Sequence, residues 1–123
     1  MQYAVPRRGL PGAASFRRWA DAGVVIRIVG EREGRRLNRA FRGENKATNV
    51  LSFATGDVVL CHPVIRREAR AQGKSVAAHY AHLVVHGCLH LAGYDHEKKR
   101  DAERMEAREV RILRRAGIAN PYR

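Results

Sequence analysis

The chain is predicted to fold as one α+β domain, a small mixed β-sheet packed against helices. Three short runs rich in β-branched residues indicate strands, and longer segments carry apolar residues at the three- and four-residue spacing of helices. A length of 123 residues suits one hydrophobic core but not two. Residues 1–123 are therefore interpreted as a single domain, without repeats or internal linkers.

The first half of the chain alternates helices with strands. Phe16 and Trp19 recur at helical spacing between arginines, and the next segment is dense in β-branched residues. A following helix is expected to present Leu37, Ala40 and Phe41 to the core. In order, the predicted elements are an extended start over 1–12, a helix over 13–22, a strand over 24–29 and a helix over 31–41.

The second half begins with two strands and ends with three helices. The strands, over 49–54 and 57–61, are so close that an antiparallel hairpin is the expected connection. Pro63 can open the next helix and Gly73 can end it, while Ser75 is a plausible N-cap for the one after. The predicted helices cover 62–72, 76–91 and 97–116.

Three histidines form the main chemical feature of the chain, in the run HGCLHLAGYDH from His86 to His96. His86 and His90 are four residues apart, so their rings project from one face of a helix lying beside the sheet. Gly93 can end that helix and return His96 as a third ligand. Imidazole nitrogens bind zinc at about 2.0–2.1 Å, and three of them leave a tetrahedral ion with one open position.

Such an open site predicts hydrolytic chemistry with one zinc ion per chain, because zinc lowers the pKa of its bound water to about 7. Nickel, cobalt and copper also accept three imidazoles, so the identity of the metal stays open. Zinc peptidases share the His86 to His90 spacing, but Gly87 replaces their general-base Glu. Unrelated core histidines are the other alternative, and the tight spacing disfavours it.

Arginine supplies most of a strong positive charge. There are 24 Lys and Arg residues against 12 Asp and Glu residues, a formal net charge of +12. Guanidinium groups bind phosphate in bidentate geometry, which favours a polyanionic partner, although a compositional arginine bias is the alternative. Aromatic residues are too scarce for base stacking to contribute much. Candidates for contacting RNA are Arg66, Arg67 and Arg70.

Composition also predicts the compartment. Cys61 and Cys88 are too few for a disulfide framework. Neither an apolar stretch of about 18 residues nor a signal-peptide pattern is present. We therefore expect a cytoplasmic protein without a membrane partner.

The histidine run resembles the signature of the YbeY family of bacterial endoribonucleases, H-G-x-L-H-L-x-G-Y-D-H, at every fixed position. The stretch LNRAFRGENKATNVLSF, residues 37–53, is similar to the second landmark of that family. The resemblance implies a metal-dependent endoribonuclease specific for single strands, acting in 3′-end maturation of 16S ribosomal RNA and in ribosome quality control. It also implies small-subunit proteins and assembly factors as partners.

The same resemblance implies that Arg42 is the catalytic arginine, which offsets negative charge on the transferring phosphorus. Asn49, Ser52 and Thr48 are candidates to line the same cleft. Family members carry a longer loop where residues 54–56 join the two strands. Whether that link and the 21–23 turn are genuinely short, or segments are missing, stays open at this point.

Three further residues are candidates for supporting the metal ligands. His82 lies one helical turn before His86 and is interpreted as a packed histidine or one that supports the ligands, as is His79. Asp95 either orients a ligand or satisfies a turn. Two other functions remain open: a ribosome-assembly factor that uses zinc only as a structural clamp, and a metallohydrolase of another substrate class.

Overall fold

The computed structural model describes residues 1–94 and 97–122 and has the predicted α+β architecture, with helices on both faces of a small mixed sheet. The strands are β1 (Gln2–Tyr3), β2 (Val25–Val29), β3 (Val50–Phe53) and β4 (Asp57–Cys61). The helices are α1 (Ala13–Trp19), α2 (Glu31–Arg42), α3 (His62–Ala71), α4 (Val76–Leu91) and α5 (Lys99–Arg115).

The sheet has the strand order β1-β2-β4-β3. β2 runs parallel to β4, whereas β3 and β4 form the predicted antiparallel hairpin. Gly56 closes that hairpin with a φ of +95° and donates its N–H to the carbonyl of Phe53 at 2.9 Å. Residues 54–56 therefore make a regular short turn.

The amino-terminal segment differs from the prediction. Residues 1–12 were expected to form an extended start, but Gln2 and Tyr3 add a parallel strand beside Arg27 and Ile28. Two residues of pairing carry almost no sequence signal. What stabilises β1 is an exposed edge of β2, which exists only after the sheet has assembled.

Both faces of the sheet are buried, which follows from the alternation of side chains along its strands. Ile28 and Leu60 point to the larger core, where α1, α4 and α5 pack, and where Tyr80 and Phe16 meet edge to face at 5.5 Å between ring centroids. Val59 points to the smaller core beneath α2. The sheet is thus held in the middle of the domain, with α4 on one side and α2 on the other.

The buried face of α2 corrects one expectation. Phe41 is 64% exposed and Ala40 is also exposed, so neither faces the core as predicted. The helix instead approaches β4 through Gly34, where an added Cβ would lie 3.0 Å from the sulfur of Cys61. Leu37, half-buried, and Asn38, fully buried, complete this face. Because glycine and asparagine do not count as apolar residues, the hydrophobic periodicity predicted the wrong face of α2 to be buried.

Three boundary signals in the sequence were correct. Ser75 caps α4, accepting the N–H of Ala78 at 3.0 Å, Pro63 lies in the first turn of α3, and Gly73 follows that helix with a φ of +65°. The first helix ends early, at Trp19, because Ala20 is already extended. None of the helices over the described ranges is long and apolar enough to span a bilayer.

Candidate metal centre and cleft

α4 lies directly against the sheet because of Gly87. A Cβ at this position would lie 3.0 Å from a methyl carbon of Val58 and 3.1 Å from the hydroxyl of Ser52. The Ser52 hydroxyl donates to the carbonyl of Gly87 at 3.2 Å, which fixes the helix to β3. The glycine therefore allows a close approach of the helix to the sheet at this point, beside His86.

The rings of His86 and His90 are arranged with their Nε2 atoms 3.1 Å apart. Nδ1 of His86 lies 2.6 Å from a carboxylate oxygen of Glu109, and Nδ1 of His90 lies 3.1 Å from the carbonyl oxygen of Tyr94. Because a carbonyl and a carboxylate can only accept, each Nδ1 carries the hydrogen. Each Nε2 then bears the lone pair that a metal ion requires.

This arrangement fits a metal ion. Two nitrogens bound tetrahedrally to zinc at its usual bond lengths are about 3.3 Å apart, and the Nε2 atoms of His86 and His90 lie 3.1 Å apart. Hydrogen bonds from Nδ1 to a carboxylate or carbonyl are also the usual support for metal-binding histidines. The donor set, two neutral imidazoles, is one that transition metals accept.

Sequence reasoning did not single out Glu109, which contacts His82 and His86 at this site. Although it is charged, it is fully buried on α5, between Met105 and Leu113. Burial works against ionisation, but hydrogen bonds from His82, His86 and Tyr122 outweigh it and lower the pKa of Glu109 to about 2. The available signal was a carboxylate at the centre of an apolar i, i+4, i+8 stripe, 105, 109 and 113, where a charge is costly unless it is paired.

A second grouping of metal-binding atoms overlaps the first. His82, His86 and Glu109 bring one ligand atom each within 4.8 Å of one another. His82 was interpreted as a packed or supporting histidine, and its Nε2 lies 2.8 Å from Glu109. Both groupings contain His86, so this end of α4 is compatible with metal binding in either case.

A cleft of about 540 Å³ opens beside the histidine pair, between α4, β3 and the end of α2. Its polar lining includes every cleft candidate taken from residues 37–53: Arg42, Thr48, Asn49 and Ser52, together with His86 and His90. These residues are far apart in sequence, and the fold brings them to one concave surface.

Arg42 reaches the cleft because α2 ends there. Gly43 adopts a φ of +70° and donates its N–H to the carbonyl of Arg39 at 3.0 Å, which turns the chain away from the helix. Asn38 then donates its side-chain amide to the carbonyl of Lys46 at 2.8 Å and holds the returning loop. The arginine is exposed and forms part of the cleft wall.

Two of the cleft candidates also hold the fold together. Asn49 donates to Glu68 at 3.0 Å, and the same carboxylate oxygen lies 2.9 Å from Nε2 of His79. Ser52 binds the carbonyl of Gly87, as described above. Their contribution to chemistry and their contribution to stability therefore have to be separated by experiment.

The remaining predicted site residues lie elsewhere. Arg66, Arg67 and Arg70 are exposed on α3 and do not line the cleft. Arg67 forms a two-point ion pair with Glu31 at 3.0 and 3.1 Å. Asp95 and His96 fall outside the described residues, which reach Tyr94 and resume at Glu97.

Comparisons with known proteins identify the family. A model of the family Endoribonuclease YbeY matches residues 13–117. The chain belongs to the YbeY family. Endoribonuclease YbeY of Stenotrophomonas maltophilia strain R551-3 is 48% identical over 146 aligned positions, which take in 99% of this chain and 91% of the relative. Endoribonuclease YbeY of Xanthomonas axonopodis pv. citri strain 306 has the same identity and coverage.

The fold is also that of a solved structure. The solution structure of TM1509 from Thermotoga maritima superposes with a TM-score of 0.51 and is 26% identical, covering 84% of this chain and 77% of that one. The alignments to the YbeY relatives span 146 positions although this chain has 123 residues. Those relatives therefore carry segments that are absent here.

Proposed function

We propose that this member of the YbeY family is a metal-dependent endoribonuclease that cuts single-stranded RNA in the cleft beside His86 and His90. The observation that carries the proposal is the 3.1 Å separation of the two Nε2 atoms at the edge of a cleft that Arg42 also lines. A metal-binding pair and a phosphate-binding cation at one concave surface are the elements that phosphodiester hydrolysis requires.

In the proposed site, His86, His90 and His96 hold one zinc ion. The choice of His90 over Glu109 is supported by hydrogen bonding, since the two oxygens of Glu109 already accept from His82, His86 and Tyr122. When bound, such an ion would supply Lewis-acid chemistry at neutral pH. A three-ligand set leaves room for substrate, as catalytic zinc sites do.

Arg42 has the role of the catalytic cation. Its guanidinium group carries a permanent charge and binds phosphate oxygens in bidentate geometry. In the cleft it would bind the scissile phosphate and stabilise the charge that builds in the transition state. Asn49 and Ser52 would orient the backbone of the substrate, within the limits set by their structural hydrogen bonds.

The proposed substrate is ribosomal RNA, at the 3′ end of the 16S species, with small-subunit proteins and assembly factors as partners in the cytoplasm. The net charge of +12 supports a polyanionic substrate. Arg66 and Arg70 extend the basic surface beyond the cleft and would follow the backbone of a longer RNA.

Two alternative functions, a peptidase and a non-catalytic assembly factor, make different demands on this site. A peptidase would need a general base after the first histidine, but this position is Gly87, where an added Cβ would already lie 3.0 Å from Val58 and 3.1 Å from Ser52. A non-catalytic assembly factor would bind RNA without cutting it. Its structural zinc would normally have four protein ligands.

The decisive experiment is cleavage of an end-labelled, single-stranded fragment covering the 3′ end of 16S ribosomal RNA. The purified, zinc-loaded chain is compared with the chelator-treated chain and with Arg42→Ala, and the same sequence is also offered as a duplex. Internal cuts that need zinc, Arg42 and a single strand would support the proposal. RNA binding without zinc-dependent cuts would favour the assembly-factor function and overturn it.

A further inference from the structure

We propose that Glu109 is a positioning residue for the metal centre: with His82 and Tyr122, it fixes the His86 ring and its tautomer. The inference rests on the proposed function, because it concerns the same metal site. In this role Glu109 orients a metal ligand and does not itself bind the metal ion. The geometry that supports it involves three elements, α4, α5 and the segment after α5.

Glu109 accepts hydrogen bonds at both of its carboxylate oxygens. One oxygen lies 2.6 Å from Nδ1 of His86. The other lies 2.8 Å from Nε2 of His82 and 2.6 Å from the hydroxyl of Tyr122. With both oxygens engaged inside the protein and the side chain fully buried, the carboxylate serves as an internal acceptor rather than as an exposed ligand.

The network specifies the hydrogen position on His86. A carboxylate accepts and cannot donate, so the hydrogen of the neutral ring stays on Nδ1 and Nε2 keeps its lone pair. His82 is locked in the opposite sense, since its Nε2 faces Glu109 while its buried Nδ1 has no hydrogen-bond partner among the described residues. Two histidines one turn apart are therefore held in different tautomers by one carboxylate.

Tyr122 links this network to the segment after α5. The backbone N–H of Ile118 returns to the carbonyl of Leu113 at 2.9 Å, and Lys74 donates to the carbonyl of Pro121 at 3.2 Å. These contacts bring the phenol to Glu109, although the residue as a whole is 45% exposed. Burial and the neighbouring carboxylate raise the pKa of Tyr122, so its hydroxyl remains a donor.

Glu109→Gln removes this specification while keeping the size of the side chain. An amide has one accepting oxygen and one donating nitrogen. If the nitrogen faces His86, the ring must carry its hydrogen on Nε2, where a metal ion would bind. If the oxygen faces His86, the nitrogen meets Nε2 of His82. The hydrogen of that ring would then have to move to its buried Nδ1, which lacks a partner in the part of the chain that the structure describes.

The test combines NMR of the histidine rings with zinc affinity in the full chain. Long-range ¹H–¹⁵N correlation spectra of the zinc-free chain report which ring nitrogen of His86 carries the hydrogen. Competition with a chelator then gives the affinity for added Zn²⁺. The variants are Glu109→Gln, the milder Tyr122→Phe, and Glu103→Gln as a control, because Glu103 is exposed on the same helix.

We expect His86 to carry its hydrogen on Nδ1 in the parent chain and in Glu103→Gln, and to lose that preference in Glu109→Gln. Zinc affinity should fall about 10- to 100-fold in Glu109→Gln, the usual effect of losing a partner of a ligand, and less in Tyr122→Phe. If Glu109→Gln misfolds, the outcome is decided by Tyr122→Phe, which keeps the carboxylate and removes one donor.

Two results would overturn the inference. In the first, both Glu109→Gln and Tyr122→Phe keep the His86 tautomer and the zinc affinity of the parent chain. The other is zinc coordination through Nδ1 of His86, with binding lost in Glu109→Gln but retained in His90→Ala, which would make Glu109 a ligand. Failure of the proposed function looks different: the parent chain would then bind RNA without zinc-dependent cuts, whatever the His86 tautomer and the zinc affinity of Glu109→Gln.

Discussion

Two pairs of histidines on one helix have opposite environments. His79 and His82 lie in the first half of α4, where each Nε2 meets a carboxylate, Glu68 or Glu109. His86 and His90, at the end of the helix, have their Nε2 atoms 3.1 Å apart at the edge of the cleft. The residue type and the helical stripe are shared. The two pairs differ in which ring nitrogen, Nε2 or Nδ1, is hydrogen-bonded to a protein acceptor.

The comparison shows why spacing alone overestimates a metal site. Histidines at 79, 82, 86 and 90 all follow helical periodicity, yet Nδ1 is the nitrogen that points to a protein acceptor only in the last two. The first two hold their Nε2 atoms against carboxylates, and over residues 1–94 and 97–122 their buried Nδ1 atoms have no hydrogen-bond partner. Substitutions should therefore affect the two pairs differently.

Removing either end-of-helix histidine should have the largest effect. His86→Ala and His90→Ala each delete one of three proposed ligands, so tight zinc binding should be lost. Zinc content after gel filtration, measured by atomic emission, checks this. If His79→Ala lost its zinc as completely as His90→Ala, the assignment of metal binding to the second pair would be wrong, because His79 bonds to Glu68 and not to the proposed site.

Arg42→Ala should separate catalysis from metal binding. Losing a cation that stabilises a developing charge costs about 10²- to 10³-fold in turnover, while zinc content should match the parent. Single-turnover cleavage of labelled RNA measures the effect. Arg39→Ala, in the last turn of the same helix but outside the cleft lining, is the matched control. If Arg42→Ala cleaved RNA as fast as Arg39→Ala, Arg42 would not be the catalytic cation.

His79→Ala should lower stability without changing the metal site. It leaves Glu68 without one partner and opens space in a site where the ring is only 4% exposed. The expected loss is about 1–3 kcal/mol in the free energy of unfolding. Urea denaturation of the zinc-free chain measures it. No loss of stability would mean that the first histidine pair has no structural function.

The arginines of α3 should contribute a small, salt-dependent part of RNA binding. If Arg66 contacts one phosphate, Arg66→Ala should reduce the slope of log affinity against log salt concentration by about 1. Filter binding to a single-stranded RNA at several salt concentrations gives that slope. Arg67→Ala is a useful comparison because Arg67 is paired with Glu31. A flat salt response in the parent chain would contradict the basic-surface hypothesis.

Acid should weaken the folded state slightly through His62 and His79. Burial lowers the pKa of both rings from 6.5 in the folded chain. The unfolded chain therefore takes up protons first, so stability is fully present above about pH 6.5 and falls as the pH drops through that value. Urea midpoints of the zinc-free chain at pH 7.5 and 5.5 test this. The difference should be smaller in His79→Asn.

The sequence predicted well where a signal is local. The hairpin followed from two adjacent strands and a glycine, and the start of α4 followed from a capping serine. The i, i+4 spacing of His86 and His90 was enough to place both rings on one helical face. Each of these inferences needs only a few neighbouring residues, which is why it did not depend on the tertiary structure.

It failed where a partner is distant. Nothing near Glu109 indicates that His86, 23 positions away, lies 2.6 Å from its carboxylate. The buried face of α2 was misplaced because close packing on Cys61 selects Gly34 and Asn38 over Phe41. Such choices are made by helix-to-sheet distance and by hydrogen bonds across the fold, and periodicity in hydrophobicity does not record either one.

Replacing the first and the last histidine of the α4 stripe by asparagine tests whether His90, and not His79, serves the metal site. Zinc-loaded His79→Asn and His90→Asn are compared with the parent in the cleavage of a labelled single-stranded RNA, at a temperature where circular dichroism shows all three folded. We expect His79→Asn to cut the RNA like the parent and His90→Asn not to cut it. Zinc-dependent cutting by His90→Asn would show that His90 is not required for the metal site.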